Sequence, residues 1–263
     1  MLELTHEHLE KALYKLGIQS GDGLLVHSAI QMLGKPEGGI ALYKQVIQKT
    51  IGARGTLVVP TFTLNYPITG RFDYRSTPSE GMGSFSEYIR QDPNARRSHH
   101  PLQSVAALGA AANDLISRDT LSAFETESVF ERMLQLDFKL LLLGADVQAV
   151  SMVHFCETRA QVPYRQWKDF PGRTWKDGQW GEKTYRMYAR ILEIDPRLKL
   201  EPIKIELVRK GVWHDVDVNY GKVACCRLND FVNAGDALLT IDPWILVENH
   251  NEAQAKLSRR VSK

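Results

Sequence analysis

The sequence predicts an α/β fold: a mixed central sheet flanked by helices, with an aromatic- and basic-rich insertion and an antiparallel C-terminal part. Three observations carry this reading. The first third of the chain repeats a strand–helix–strand pattern. Short unbroken apolar runs such as Leu57-Val58-Val59 and Leu140 to Leu143 have the character of strands buried on both faces. The texture then changes over residues 159–190, where eight basic side chains stand against three acidic ones and alternate with aromatic rings.

The opening segment reads as an amphipathic helix, with Thr5 as N-cap, Glu7 in the first turn and Leu9, Leu13 and Leu16 on one face. Gly17 is placed to end it in the left-handed conformation. Leu24 to His27 is a short strand, Ile40 to Ile51 a helix, and Leu57 to Val59 a second strand stopped by Pro60. Thr61 to Gly83 has no period and reads as a long loop, uncommon in compact domains unless it has a task. A helix follows near Ser84 to Arg90, with Ser84 as its simplest N-cap. Val105 to Leu108 is strand-like, Ala110 to Ile116 and Ser128 to Leu136 are helical, and Lys139 to Leu143 is the third buried strand. Ser151 to Val162 reads as a helix. Tyr185 to Ile194 and Ile203 to Val208 read as paired antiparallel strands, and Arg227 to Val247 as two helices split at Gly235. With no repeat or low-complexity linker, the expectation is one domain over 1–263.

Composition narrows the function. Hydrophobic residues are 43% and charged residues 24%, ordinary globular usage, and the net charge is only +2, which argues against nucleic acid as the default partner. The three cysteines, Cys156, Cys225 and Cys226, lack metal or disulfide spacing, so a reducing compartment is expected. With charged residues through the first twenty positions no signal peptide is expected, and the apolar runs are too short for a bilayer. The expected location is the cytoplasm.

Neither a G-x-S-x-G elbow, nor H-E-x-x-H, nor a Walker loop occurs. The first chemical candidates are His154 and Glu157, at i and i+3 in SMVHFCE. A carboxylate on one ring nitrogen fixes the tautomer and raises the basicity of the other, as a general base requires. The same spacing also makes an ordinary helix ion pair. Ser28 ends an apolar strand where α/β sheets hold ligands, and could face a phosphate or simply cap a helix. Arg97, Ser98, His99, His100 and Ser104 form a dense donor cluster that calls for a nearby anion, or else is a solvated loop. Cys156 reads as packing.

In order, LVHSAI, LGKPEGG, GTLVVPTFT, FDYRSTPSEGMG, RRSHHPLQSVAALG, LLLLGAD and SMVHFCE resemble the aminoglycoside 3-N-acetyltransferase family over roughly four fifths of the chain. The resemblance implies a cytosolic, metal-free N-acyltransferase with an α/β fold distinct from the GNAT enzymes, using acetyl-CoA or another short acyl-CoA as co-substrate. It implies that His154 is the base and Glu157 its orienter. It implies coenzyme contacts for His27, Ser28, Ala29, Ile30, Arg97, Ser98, His100 and Ser104, and acceptor contacts for Tyr66, Asp73 and Glu193. The chain departs from the pattern at Ser28-Ala29, where Ser-Ser is usual, and at Val150-Ser151-Met152, where Asn-Thr is frequent. Its basic balance, +5 across 159–190, favours a nucleotide-linked amino deoxysugar as acceptor, with an aminoglycoside as the alternative and a polyanion-binding non-enzyme as the contrasting class. The expected partner is a small-molecule amino sugar, with no nucleic acid and no membrane, and a homo-oligomer is compatible with the sequence.

Overall fold

A computed structural model describes residues 2–261. The elements begin β1 (Glu3–Leu4), α1 (His6–Lys15), β2 (Gly23–Ser28), β3 (Lys35–Pro36), α2 (Ala41–Ile51), β4 (Thr56–Pro60), α3 (Tyr66–Thr69), β5 (Arg71–Asp73), α4 (Gly83–Arg90), β6 (Arg96–Arg97) and β7 (Val105–Gly109). They continue α5 (Ala112–Ile116), α6 (Val129–Gln135), β8 (Lys139–Leu143), α7 (Val153–Ala160), β9 (Arg165–Lys176), β10 (Gln179–Arg190), α8 (Glu201–Arg209), β11 (His214–Val218), β12 (Gly221–Arg227), α9 (Leu228–Ile241) and α10 (His250–Val261).

The central sheet has seven strands in the order β11-β12-β8-β2-β4-β7-β6. Its middle, β8-β2-β4, is parallel, and antiparallel strands flank it on both sides. Alternate residues feed two cores. Leu25, Val58, Leu140 and Leu142 face α7, α9 and the hairpin, while Leu24, Val26, Leu57, Leu141 and Leu143 face α1, α2 and α4. Both faces are covered, so each strand is an unbroken apolar run rather than an alternating one. The carboxyl ends of β2, β4 and β8 share one edge, the place where open α/β sheets hold ligands.

A second sheet, β10-β9-β5, stands beside this edge. Its core is the hairpin β9–β10, two twelve-residue strands turned at Asp177 (φ 50°) and Gly178 (φ 83°), the positive pair that a two-residue hairpin turn demands. No helix among the described residues is long and apolar enough to cross a membrane.

Several expectations are borne out locally. Thr5 accepts a hydrogen bond from the His8 amide, and Gly17 turns left-handed (φ 70°). Others are corrected. Ile203 to Val208 lies within helix α8, not a strand: Ile203 and Leu207 are buried while Ile205 and Val208 are exposed, a spacing of four. The partner of β10 is β9 instead. Residues 228–241 form a single helix through Gly235, which sits inside α9 because a Cβ there would come within 2.8 Å of Cys156 Sγ. Ser84 lies inside α4, whose N-cap position is Met82. The stretch Thr61 to Gly83 contains α3 and β5.

Candidate active site

Helix α7 starts one loop after β8, so its N-terminal turn stands over the carboxyl edge of the sheet. There His154 Nδ1 lies 2.6 Å from Glu157 Oε2, one turn apart. Glu157 is fully buried, whereas 26% of the His154 side chain is open to a cleft of about 680 Å³. A contact this short between Nδ1 and a carboxylate oxygen places a proton on Nδ1, and in the neutral ring Nε2 is then the unprotonated nitrogen. The ring packs edge-on against Phe124, centroids 5.6 Å apart.

Arg165 completes the cluster from the first residue of β9. Its Nε is 2.8 Å from Glu157 Oε2, its Nη2 is 3.0 Å from His154 Nδ1, and Nη1 donates to the Tyr188 carbonyl at 3.0 Å. Burial pushes the Glu157 carboxyl up, but the Arg165 charge and the hydrogen bond from His154 outweigh it and hold it below the usual range. Burial and then the Arg165 charge lower the His154 imidazole, with Glu157 opposing. The resting state is therefore a carboxylate, a guanidinium and a neutral imidazole whose free lone pair belongs to Nε2.

The cleft walls come from three places. Phe62, Leu64 and Pro67 belong to the long loop, Lys168, Phe170 and Met187 to one face of the hairpin, and Leu192, Pro196 and Leu198 to the segment after it. Among the described residues the lining also holds Arg190 and no Asp or Glu.

Ser28, Ala29 and Ile30 leave β2 at the same edge, where the Ala29 amide donates to the Leu143 carbonyl at 2.9 Å. A Cβ on Gly83, the first residue of α4, would lie 3.4 Å from the Ser28 carbonyl oxygen, so this turn and the start of α4 are adjacent. His27 points elsewhere. It is buried on the α7 side with Nε2 3.5 Å from Ser151 Oγ, and burial drives its pKa down to about 4.

The Arg97 cluster, expected to contact the coenzyme, is bonded to the fold itself. The Arg97 side chain is directed into the long loop: it donates to the carbonyls of Thr61 and Thr77, to Thr63 Oγ1 and to Ser104 Oγ. Ser104 Oγ donates to the Thr61 carbonyl at 2.7 Å, and Ser98 Oγ accepts from the Val105 amide at 3.0 Å. His100 accepts from the Gln103 amide at Nδ1 and faces the Leu121 carbonyl through Nε2. These groups are buried and engaged with the fold itself. The expected nearby anion is Asp119, whose charge reaches His99 and His100 while it pairs with Lys176 and Lys183.

Two residues expected on the acceptor side are likewise engaged within the fold. Tyr66 is wholly buried against Phe72 and Leu102, and Asp73 is held by Arg75 through Nε and Nη2 at 2.9 and 2.7 Å. Glu193 is exposed, between Leu192 of the cleft wall and buried Ile194. Sequence reasoning missed Arg165, Lys168 and Arg190 as cleft residues. Asp177-Gly178 was the signal available, since an Asp-Gly pair between aromatic runs fixes the hairpin register and with it which basic residues face inward.

A sequence model of the family described as aminoglycoside 3-N-acetyltransferase matches residues 25–240. The chain belongs to that family. It is therefore an acyltransferase. Aminoglycoside N(3)-acetyltransferase III of a Salmonella species is 31% identical over 70% of this acetyltransferase and 71% of its own length. A second Salmonella aminoglycoside N(3)-acetyltransferase III is 29% identical, and the alignment spans 62% of this chain and 63% of that one. Among solved structures, AAC-IIIb in binary complex with CoASH superposes with a TM-score of 0.81 at 20% identity, over 91% of this chain and 97% of that one. The AAC(3)-IVa apoenzyme does so with 0.78 at 25% identity, over 97% and 98%.

Proposed function

We propose that this acetyltransferase moves the acetyl group of acetyl-coenzyme A onto a primary amine of an aminoglycoside-type amino sugar, in the cytoplasm, with His154 as general base. The single observation that carries the reading is the His154–Glu157 pair, in which the carboxylate engages Nδ1 and the partly exposed imidazole lines the cleft. The donor supplies a thioester carbonyl open to aminolysis. An alkyl ammonium has no lone pair to attack it, so the proton must go first or in step with bond formation. Nε2 receives that proton, and Glu157 across Nδ1 stabilises the imidazolium that results. Of the ammonium's three protons one stays on the amide nitrogen; as the C–N bond forms and the C–S bond breaks, the one held on Nε2 passes to the departing sulfur and the other leaves to solvent.

The turn Ser28-Ala29-Ile30 at the sheet edge beside α4 is our candidate for the coenzyme phosphates, in keeping with a CoASH complex among the similar structures. The aminoglycoside class is supported by the relatives' names and by the sisomicin complex of AAC-VIa, which superposes with a TM-score of 0.80. None of these relatives or structures carries the name of an enzyme for nucleotide-linked sugars. One observation favours that second reading, an amino sugar that also bears an acidic group: Lys168 and Arg190 line the cleft, with no carboxylate among the described lining residues.

The test is thiol release from acetyl-coenzyme A with gentamicin-like aminoglycosides and nucleotide-linked amino deoxysugars, at low and physiological salt. Thiol release that no amine raises above the amine-free rate would overturn acyl transfer to amino sugars. An acid-bearing sugar preferred tenfold or more would replace the aminoglycoside as acceptor.

A further inference from the structure

We infer that Arg165 is a positioning residue of the reaction: it locks Glu157 as the ionised acceptor of His154 Nδ1–H and so keeps the Nε2 lone pair on the cleft side. The inference rests on the proposed base role of His154. It starts from competition at one atom. Two groups of opposite kind approach Nδ1, the Glu157 oxygen at 2.6 Å and the Arg165 Nη2 donor at 3.0 Å. Only one of them can have it. If Arg165 donated to Nδ1, the ring proton would sit on Nε2 and the side facing the cleft could not take a proton. The shorter contact, to a carboxylate that stays charged, selects the productive tautomer.

The carboxylate stays charged because of Arg165. Glu157 has no exposed surface, and an unpaired buried carboxylate would take up a proton instead. The guanidinium sits 2.8 Å away and is anchored on the opposite side to the Tyr188 carbonyl of β10, so its place is set by the hairpin rather than by α7. No other cation among the described residues pairs with Glu157, because the neighbouring Arg159 is drawn off to Asp236 of α9.

The remaining groups around the pair are neutral or, like Lys168 and Arg190, cations of the same cleft that form no ion pair with Glu157. Tyr164 and Tyr188 are buried phenols whose ionisation burial opposes, and the Cys156 thiol is raised by burial. His27 of β2 meets α7 only through Ser151, and Lys168 and Arg190 are on the cleft wall. Arg165 is thus the group that sets the charge state of the base and its orienter. A purely structural arginine would predict no change in how the base titrates.

The experiment follows kcat/KM for acetyl transfer against pH in wild type, Arg165→Gln and Arg165→Lys. With Arg165→Gln, the pair Glu157–His154 gains a proton more readily, and the acid limb moves up by about one pH unit. Activity then falls about tenfold on the acid side of the limb, by no more than about threefold at pH 7, and recovers on the alkaline side. Arg165→Lys keeps the charge and leaves the limb within a few tenths of a unit of wild type. A loss in Arg165→Gln that is equal at every pH, or no loss, overturns the inference. Nitrogen-15 imidazole spectra of the wild-type protein give a second readout that needs no variant to fold. His154 protonated on Nδ1 at neutral pH supports the inference, and protonation on Nε2 overturns it. Should wild type transfer no acetyl group, the proposed function fails, while these spectra still report on the Arg165 assignment.

Discussion

Two clusters in this molecule bury an arginine beside a histidine or serine-rich turn, and they do opposite things. Around Arg97, the acceptors are carbonyls and hydroxyls of residues 61–77 together with Ser104, with no carboxylate among the hydrogen-bond partners. The guanidinium is pointed at the loop that it holds, and burial lowers its pKa to about 9. Around Arg165, a carboxylate and an imidazole share the charge, and one imidazole nitrogen is left over at a cleft. The first arrangement closes on itself and gives the long loop a shape. The second leaves one valence unmet where a ligand can reach it. Polar density in the sequence does not separate scaffold from site; the unmet valence does.

Removing the arginine should therefore be costly for the first cluster in stability. Arg97→Met strands the Thr61 and Thr77 carbonyls and Thr63 Oγ1 in the interior. Losing several buried partners at once should lower unfolding stability by about 4 kcal/mol. Denaturant unfolding checks this, and a loss below about 1 kcal/mol would mean that the loop holds its shape without Arg97.

The histidines sharpen the same contrast. His100 has both ring nitrogens engaged and its pKa is driven down to about 4, chiefly by burial. In the unfolded chain it titrates near 6.5. Between these values the unfolded state binds the extra proton, so stability is complete above pH 6.5 and declines as the pH falls toward 4. At about 1.4 kcal/mol per pH unit, the decline contributed by His100 approaches roughly 3 kcal/mol. Melting curves across that window should show a shallower acid slope in His100→Gln than in wild type. Identical slopes would remove His100 from the scaffold side of the comparison.

On the reactive side, His154→Ala should lower turnover by roughly a hundredfold or more, with the melting temperature nearly kept because the ring already opens to the cleft. Coenzyme affinity should change little, since Ser28 to Ile30 lie outside the His154 cluster. Glu157→Gln should fall between this variant and wild type. Steady-state kinetics with a thiol-release readout distinguishes these outcomes, and near-wild-type turnover in His154→Ala would remove the base.

What the sequence made legible follows the range of the interactions. The parallel strands and flanking helices were readable because burial on both faces is written into contiguous runs such as Leu140 to Leu143. His154 and Glu157 were readable because one helical turn brings them together. Arg165 was not, because it meets Glu157 only after the chain has left α7 and the hairpin has fixed its angle through the Tyr188 carbonyl. Ile203 to Val208 misled because its apolar residues fit a two-residue period and a four-residue period alike. Packing chose the helix by burying Ile203 and Leu207 alone.

The smallest expected effect tests whether the comparison extends to the acceptor loop. Tyr66 was read from the resemblance as an acceptor contact, yet the structure buries it completely, in a small core with Phe72 and Leu102. Its hydroxyl has no hydrogen-bond partner among the described residues and lies against Gly172, where a Cβ would run into it. A buried hydroxyl without a partner gives up its hydration for nothing. Tyr66→Phe should thus leave unfolding stability unchanged or raise it by up to about 1 kcal/mol, with acceptor KM unaltered. By contrast Gly172→Ala, which pushes a methyl into the same contact, should lower stability. A several-fold rise in acceptor KM for Tyr66→Phe would show that the hydroxyl reaches the substrate, and the loop would then belong with the reactive cluster instead of the closed one.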